Sequence, residues 1–373
     1  MEKPLRSLRR WILARLEIQV ENDAEQSDCT HIEIVILSKT EIDNNIAWLV
    51  QNGSAPVRYL TYLNLLNADP DSAYLRKLWV EVQKDSEVME MFAKQKQNGS
   101  WCAGGPWALA PSYVPKGGCT PVSPKYVTTT WLLQILGDMG FDTRDERIRK
   151  AYDYVLSFQC KNGFIAESDK NRYEVDLEFL DNMPCRFSLI LLGLGKVGAG
   201  HDTRLGESYK LLLHWQRDDG GWILEKHKKE RNWYRSCPYS TFHSTYALYT
   251  ANNDKYKDSV KKGLAFLLDH LSQKEENEIN RFFYHGHCII HELLMFSQYG
   301  IGMGARPVST ILEWLLEMYN TQEGRFKYSG KPIAKYSRRK DGMDVRVAKY
   351  RLYHLIEDDW LTYYITRVLK SSS

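Results

Sequence analysis

Apolar residues recur along most of the chain at the spacing of a helix face. Trp131, Leu132, Ile135 and Leu136 form one such stripe, and Tyr154, Val155 and Phe158 form another. That spacing predicts helices with one buried side, and the two stripes are separated by a turn rich in Gly and Asp, as in a helical hairpin. The same phrase returns. One copy spans Tyr126 to Phe164, a second Cys185 to Trp222, a third begins STFHSTYALYTANN, and a fourth begins HCIIHELLMFSQYG and closes at Phe326. An earlier partial copy closes with KQKQNGSW at Trp101. A period of roughly 50 to 60 residues means that each unit is one supersecondary element, which buries its apolar stripe only by stacking on its neighbours.

The copies end in Gln followed by a Gly-aromatic turn, except the third, which ends at Leu271 without one. Gly99, Gly163, Gly220 and Gly324 are expected to supply the tight or left-handed backbone after an outer helix. Gln95, Gln97, Gln159 and Gln216 are expected to bond backbone groups that the helix ends leave unpaired. These turns read as structural. Residues 11–20 suggest a short helix and HIEIVIL at 31–37 a strand, so residues 1–45 are assigned to an N-terminal arm and 46–373 to the repeat domain. The Gly/Pro-rich stretch AGGPWALAPSYVPKGGCTP and the basic KYSGKPIAKYSRRKDG are expected to be long loops.

The phrases SFQCKNGF, HWQRDDGGW and KQKQNGSW resemble the repeats of squalene and oxidosqualene cyclases and of protein prenyltransferase β subunits. The order WLVQNGSAPVRYLTYLNLL, QNGSW, PKYVTTTWLLQILGDMG and WLTYYITRVLK is most similar to a group of bacterial and archaeal prenyltransferase-repeat proteins. The resemblance covers roughly residues 46 to 370. It implies an all-α fold in which hairpins alternate inner and outer helices around an α/α barrel, or toroid, with a central cavity for an isoprenoid chain. Terpene-cyclase-like or prenyltransferase-like chemistry on an apolar isoprenoid-type substrate is the activity it implies.

Composition narrows the setting. The 373 residues are 43% hydrophobic and 26% charged, with a formal net charge of +3. The basic residues are interspersed with acidic ones, so no concentrated face for a nucleic-acid backbone is expected. No stretch has the length of a membrane span, the N-terminus does not read as a signal peptide, and seven widely spaced cysteines do not make a disulfide framework; a reducing cytoplasm is the expected location.

Candidate chemistry is expected just before the inner helices begin. Asp176, Asp181, Cys185 and Cys237 are the candidate catalytic groups there, with Glu178, Arg235 and His243 beside them in sequence. In FYHGHCIIHE, His287 and His291 are four residues apart, which on a helix would place both on one face. With His285 and Cys288, and with Cys185 or Cys237 from neighbouring units, they are candidate ligands for zinc; the alternative is a set of buried, hydrogen-bonded core side chains. By type, Asp176, Cys237 and His287 are what the prenyltransferase resemblance implies for a zinc site, although that family's spacing is not reproduced.

The sequence contains no DxDD, no CxxC and no HExxH. Its acidic clusters are Glu174 to Asp181 and Glu357 to Asp359, the latter placed to cap the final helix. The 11 Trp and 23 Tyr supply aromatic faces for an apolar chain or a carbocation. Trp107, Tyr126, Trp131, Trp233, Tyr239, Phe242, Tyr246 and Phe283 are the candidate substrate-lining residues. A metal-dependent protein and a non-catalytic interaction module are the alternative readings.

Overall fold

The structure is a computed structural model, and the description covers residues 37–101, 105–106, 128–167, 184–198, 202–223, 235–279, 283–284, 287–328 and 358–372. The expected helix at 11–20 lies outside these residues, as does nearly all of the expected strand at 31–37. The helical unit runs from Ile34 to Ser373. Its first helix, α1 (Lys39–Asn52), starts within the segment assigned to the arm. Ser38 caps it: the Ser38 side chain accepts from the Glu41 backbone N–H, and the Glu41 carboxylate accepts from the Ser38 N–H, so two end donors are satisfied reciprocally.

The fold is all-α. The remaining helices are α2 (Ala55–Leu60), extended by a π turn at Thr61–Leu65, α3 (Ala73–Gln83), α4 (Ser86–Ala93), α5 (Thr129–Asp138), α6 (Glu146–Leu156), α7 (Pro184–Lys196), α8 (Gly206–His214), α9 (Pro238–Thr250), α10 (Lys257–Ser272), α11 (Glu276–Ile279), α12 (Ile289–Tyr299), α13 (Arg306–Leu316) and α14 (Asp358–Ser372). The described strands are four two-residue pieces. They pair antiparallel as β1 (Phe283–Tyr284) with β2 (His287–Cys288), and β3 (Tyr319–Asn320) with β4 (Arg325–Phe326). Among the described residues no helix is long and apolar enough to cross a membrane.

Burial separates two kinds of helix. In α6 only Ile148, Ala151, Tyr152, Val155 and Leu156 are buried, a single stripe, and α10 and α13 follow the same pattern. By contrast, α5 is buried continuously from Thr129 to Gln134 and on to Leu136, α7 from Phe187 to Gly195, and α12 from Ile289 to Ser297. A helix with no exposed stripe needs neighbours on every side. Accordingly α5 packs on α7, α7 on α9, α9 on α12, and α12 on α14.

Small residues set the distances in that series. A Cβ at Gly193 would lie 2.9 Å from the Thr130 carbonyl oxygen, and one at Gly195 would lie 2.5 Å from Thr250 Oγ1. The series then returns to the start, because α14 also packs on α1 and on the π turn after α2. Asn45 and Thr366 are hydrogen-bonded at 3.2 Å across that seam, the Asn64 amide donates to the Tyr363 hydroxyl at 2.7 Å, and the Ser54 N–H donates to Asp359 at 2.9 Å. Asp358 pairs with Arg325, so the acidic cluster at the start of α14 is engaged in structure. Tyr59, Trp79 and Phe141 stack across the remaining step, from α2 to the turn after α5.

The repeated turn links successive outer helices. The Gln95 amide donates to Gly99 O at 2.9 Å and to Arg147 O at 2.8 Å; that of Gln216 donates to Gly220 O and Ser259 O, both at 2.9 Å. Gln159 donates to Arg204 O at 2.7 Å and to Ser208 Oγ at 2.9 Å, while the Ser208 hydroxyl donates to Gly163 O. Each glutamine therefore ties its own turn to the start of the next outer helix by bonding a backbone carbonyl there. Gln97 is instead exposed in its turn. The following aromatic completes the lock: the indole N–H of Trp101 donates to Met91 O at 2.7 Å and that of Trp222 to Leu212 O at 2.8 Å.

Glycine is required here twice over. Gly163 has φ +86°, and a Cβ on it would lie 2.4 Å from the Glu207 backbone carbon. Gly300 has φ +62° with nothing near its missing side chain. Gly163→Ala is therefore expected to destabilise the protein by about 2 to 4 kcal/mol and Gly300→Ala by only about 1 kcal/mol, as read from urea denaturation midpoints.

A second expectation concerns acid. The Asp202 carboxyl, which accepts from Arg204 and from the Tyr152 hydroxyl at 2.6 Å, is held down to about 2 from 3.8, chiefly by the Arg204 hydrogen bonds. A depressed carboxyl contributes stability above its unfolded value and loses it as pH falls through the folded one. Asp202→Asn should therefore lower stability at neutral pH and flatten its fall between pH 4 and about 2 in parallel denaturation curves.

Candidate functional site

A cavity of about 720 Å³ opens among the C-terminal ends of the inner helices. Gly137 and Asp138 reach it from α5, Gly195 and Lys196 from α7, Tyr246 and Tyr249 from α9, Leu294 and Gln298 from α12, and Tyr363, Tyr364 and Arg367 from α14, with Leu60 and Asn64 closing the α2 side. Sequence reasoning placed the site at the opposite ends of these helices, where they begin. Much of the chain at those starts lies outside the described residues.

The repeat explains why these side chains meet. Each inner helix from α5 to α12 stops at a residue with positive φ: Gly140, Gly198, Asn252 and Gly300. Two positions earlier stand Asp138, Lys196, Thr250 and Gln298, and all four line the cavity. One structural position, repeated around the series, thus supplies a ring of polar groups.

Within that ring Lys196 Nζ bonds Asp138 Oδ2 at 2.5 Å, and the two side chains are only 5% and 10% exposed. Burial holds the Asp138 carboxyl above the usual carboxylate range, although the Lys196 charge and hydrogen bond, and then the Arg367 charge, oppose it. The ammonium also lies 4.8 Å from the centre of the Tyr246 ring, a cation–π distance. Behind this wall His291 sits between two tyrosines, with ring centres 5.4 Å from Tyr246 and 5.2 Å from Tyr364. Burial drives the hydroxyls of Tyr246 and Tyr364 well above the ordinary phenol range, so both stay protonated donors.

The candidates from sequence are placed as follows. Tyr246 lines the cavity. Trp131 and Phe242 are buried in the core, and Tyr239 meets His243 edge to face, with ring centres 4.4 Å apart. Cys185 is buried in the first turn of α7; Cys237 is the N-terminal cap residue of α9, where its N–H donates to Trp222 O at 2.8 Å. Arg235 pairs with Asp269 of α10 and with Gln273, which follows that helix. Phe283 is described only as a strand residue paired with Cys288. Asp176, Glu178, Asp181, Trp107, Tyr126, Trp233 and His285 lie outside the described residues.

The helical spacing expected for His287 and His291 is corrected. His287 belongs to β2, paired with Tyr284, and α12 starts only at Ile289, because Cys288 takes an extended conformation at φ −85° and ψ 121°. The two strands are separated by only His285 and Gly286, a length that favours a hairpin over a helical turn. The Cys288 thiol is pushed up to about 12 by burial, which disfavours the thiolate a zinc ion needs. Among the described residues no three His, Cys, Asp or Glu side chains gather as a metal site.

Sequence reasoning passed over Asp138, Lys196, Tyr249, Tyr363, Tyr364 and Arg367. The signal was present in the parallel phrases LGDMG and LGKVG, whose third residues are Asp138 and Lys196.

No protein-family model matches the chain, and neither does any curated protein. Solved structures do align with it. One is a protein from Actinoplanes, 12% identical, with a TM-score of 0.42 over 89% of this chain and 98% of the other. Another is the type II terpene cyclase MstE from Scytonema; a variant in complex with geranylgeranyl dihydroxybenzoate is 14% identical, with a TM-score of 0.41 over 89% of this chain and 96% of the other. The apo form of MstE is 15% identical, with a TM-score of 0.39 over the same share of this chain and 96% of its own.

The buried pair yields a stability test. Removing one partner strands a charge, so Lys196→Met should cost about 3 to 5 kcal/mol, whereas Lys196→Met combined with Asp138→Leu should recover much of that loss in denaturant titrations.

Proposed function

We propose that the inner helices close into an α/α barrel and that the protein binds an isoprenoid-type small molecule inside it, in the manner of a terpene-cyclase-like protein. The observation that carries this reading is the 720 Å³ cavity among the inner helices, walled by Tyr246, Tyr249, Tyr299, Tyr363 and Tyr364. A volume in this range suits a ligand of drug-like size, and tyrosine rings offer apolar and π surface to a branched hydrocarbon. Leu60, Leu248 and Leu294 add aliphatic contact.

Binding is better supported than proton-initiated cyclisation in this cavity. An acid that protonates an alkene must carry its proton at rest. Asp138 has its Oδ2 bonded to Lys196 Nζ, so the oxygen that would hand over a proton is already engaged. Tyr364 is the residue whose face is set to matter most, since it touches both the cavity and the His291 ring.

Titration of the protein with geranylgeraniol, followed by tryptophan fluorescence and by native mass spectrometry, should show saturable one-to-one binding. Tyr364→Leu should weaken it by about tenfold, equivalent to about 1.4 kcal/mol. Absence of saturable binding by the unsubstituted protein would remove the isoprenoid reading.

A further inference from the structure

The lining of the cavity is unbalanced in a specific way: among the described residues, the Arg367 donors that face it are bonded to no acceptor. Arg367 has five N–H donors and no ability to accept. It faces the cavity from the last turns of α14, and among the described residues no carboxylate or carbonyl is hydrogen-bonded to its guanidinium. The nearby carboxyl, Asp138, is already occupied by Lys196 at 2.5 Å. The Tyr246 and Tyr364 hydroxyls also line the cavity, and no acceptor for either is found among the described residues. Tyr249 and Tyr363 differ, since the first donates to Gln298 and the second accepts from Asn64.

Counting the charged groups that line the interior of the cavity, Asp138 pairs with Lys196 and the half-buried Arg367 is left over. Lys257 and Lys261 at the rim add positive charge, of which Lys257 is paired with Asp254. The carbonyl ends of the inner helices point toward the same space and offset part of this charge, each by roughly half a unit or less. They do not supply hydrogen-bond acceptors to the Arg367 fork.

Arg367 is half-buried, and several donors converging on one cavity suit a ligand with several lone pairs. The geometry points to an oxyanion site at Arg367: the cavity takes an organic acid, whose carboxylate or phosphate head accepts from Arg367, Tyr246 and Tyr364 while its apolar body lies along the tyrosine wall. The Arg367 fork suits a planar or tetrahedral oxyanion through two parallel bonds. This inference rests on the cavity proposed above as a binding site, but its head-group recognition does not require the body to be an isoprenoid.

Equilibrium dialysis of the full chain with matched probes separates the two ideas. The probes are 4-octylbenzoate, dodecyl phosphate, 4-octylbenzyl alcohol and dodecanol, with geranylgeraniol as the isoprenoid reference. Each acid is expected to bind at least tenfold more tightly than its uncharged partner. Arg367→Met should remove that preference and leave the alcohols within about twofold of their original affinity, and Arg367→Lys should restore part of it. Preference for benzoate over phosphate, or the reverse, identifies the head group.

Equal binding of acids and alcohols by the unsubstituted protein would overturn the oxyanion site, whatever becomes of the variants. Geranylgeraniol binding alongside that result would leave the isoprenoid reading intact. Binding of the acids without geranylgeraniol would support the oxyanion site and remove the isoprenoid body. Failure of every probe to bind would overturn both.

Discussion

A helix that is buried on every side cannot stand at the edge of an array, and this constraint governs the rest of the structure. The inner helices α5, α7 and α12 have no exposed stripe, so each must be flanked on both sides as well as covered from outside. In a linear stack the first and last of them would present an apolar flank to water. Here α14 fills the position between α12 and the N-terminal helices, and Asn45–Thr366, Asn64–Tyr363 and Ser54–Asp359 bond across the place where the two ends of the unit meet. The polar character of that seam fixes which residues meet, since a shifted helix would leave Asn45 and Thr366 buried without partners.

The outer layer solves a different problem, that of spacing. Its helices are amphipathic and tolerate water on one side, so what they need is registration with the next unit. The glutamine amides of Gln95, Gln159 and Gln216 provide it by bridging the end of one outer hairpin arm and the start of the next, and a glycine at each bridge lets two backbones approach where a Cβ would collide. Because these devices act between consecutive units, they set the same step each time. The repeated step is what brings Asp138, Lys196, Thr250 and Gln298 to one level and gives the cavity its polar ring.

Most of the fold is legible in the amino-acid sequence. Helical periodicity and the Gly-aromatic turns behave as the residues imply, since local chemistry dictates them, a left-handed turn and an indole over a helix end; three of the four glutamines bond backbone near helix ends as expected, although the carbonyls they meet lie at helix starts. The candidate site is much less legible. Attention to reactive residue types favours Cys, His and acidic clusters at helix starts, whereas the described cavity is built at helix ends from Lys, Asp, Arg and Tyr, types that are ordinary on any surface. Only their register within the repeat sets them apart. Asp138 and Lys196 are unremarkable singly and become a buried ion pair because α5 and α7 stop at the same level. The His287–His291 spacing fails for a local reason, a two-residue connection that makes His287 part of a hairpin and delays the helix to Ile289.

The account depends most on the two ends of the helical unit meeting. The direct measurement is disulfide formation between cysteines placed at Asn45 and Thr366, whose native side chains are hydrogen-bonded, in a protein whose own cysteines have been replaced by alanine or serine. A rapid intramolecular cross-link at dilute protein concentration, with the helical circular dichroism unchanged, is the predicted result. Cross-linking only between molecules, or none at all in the folded protein, would contradict it.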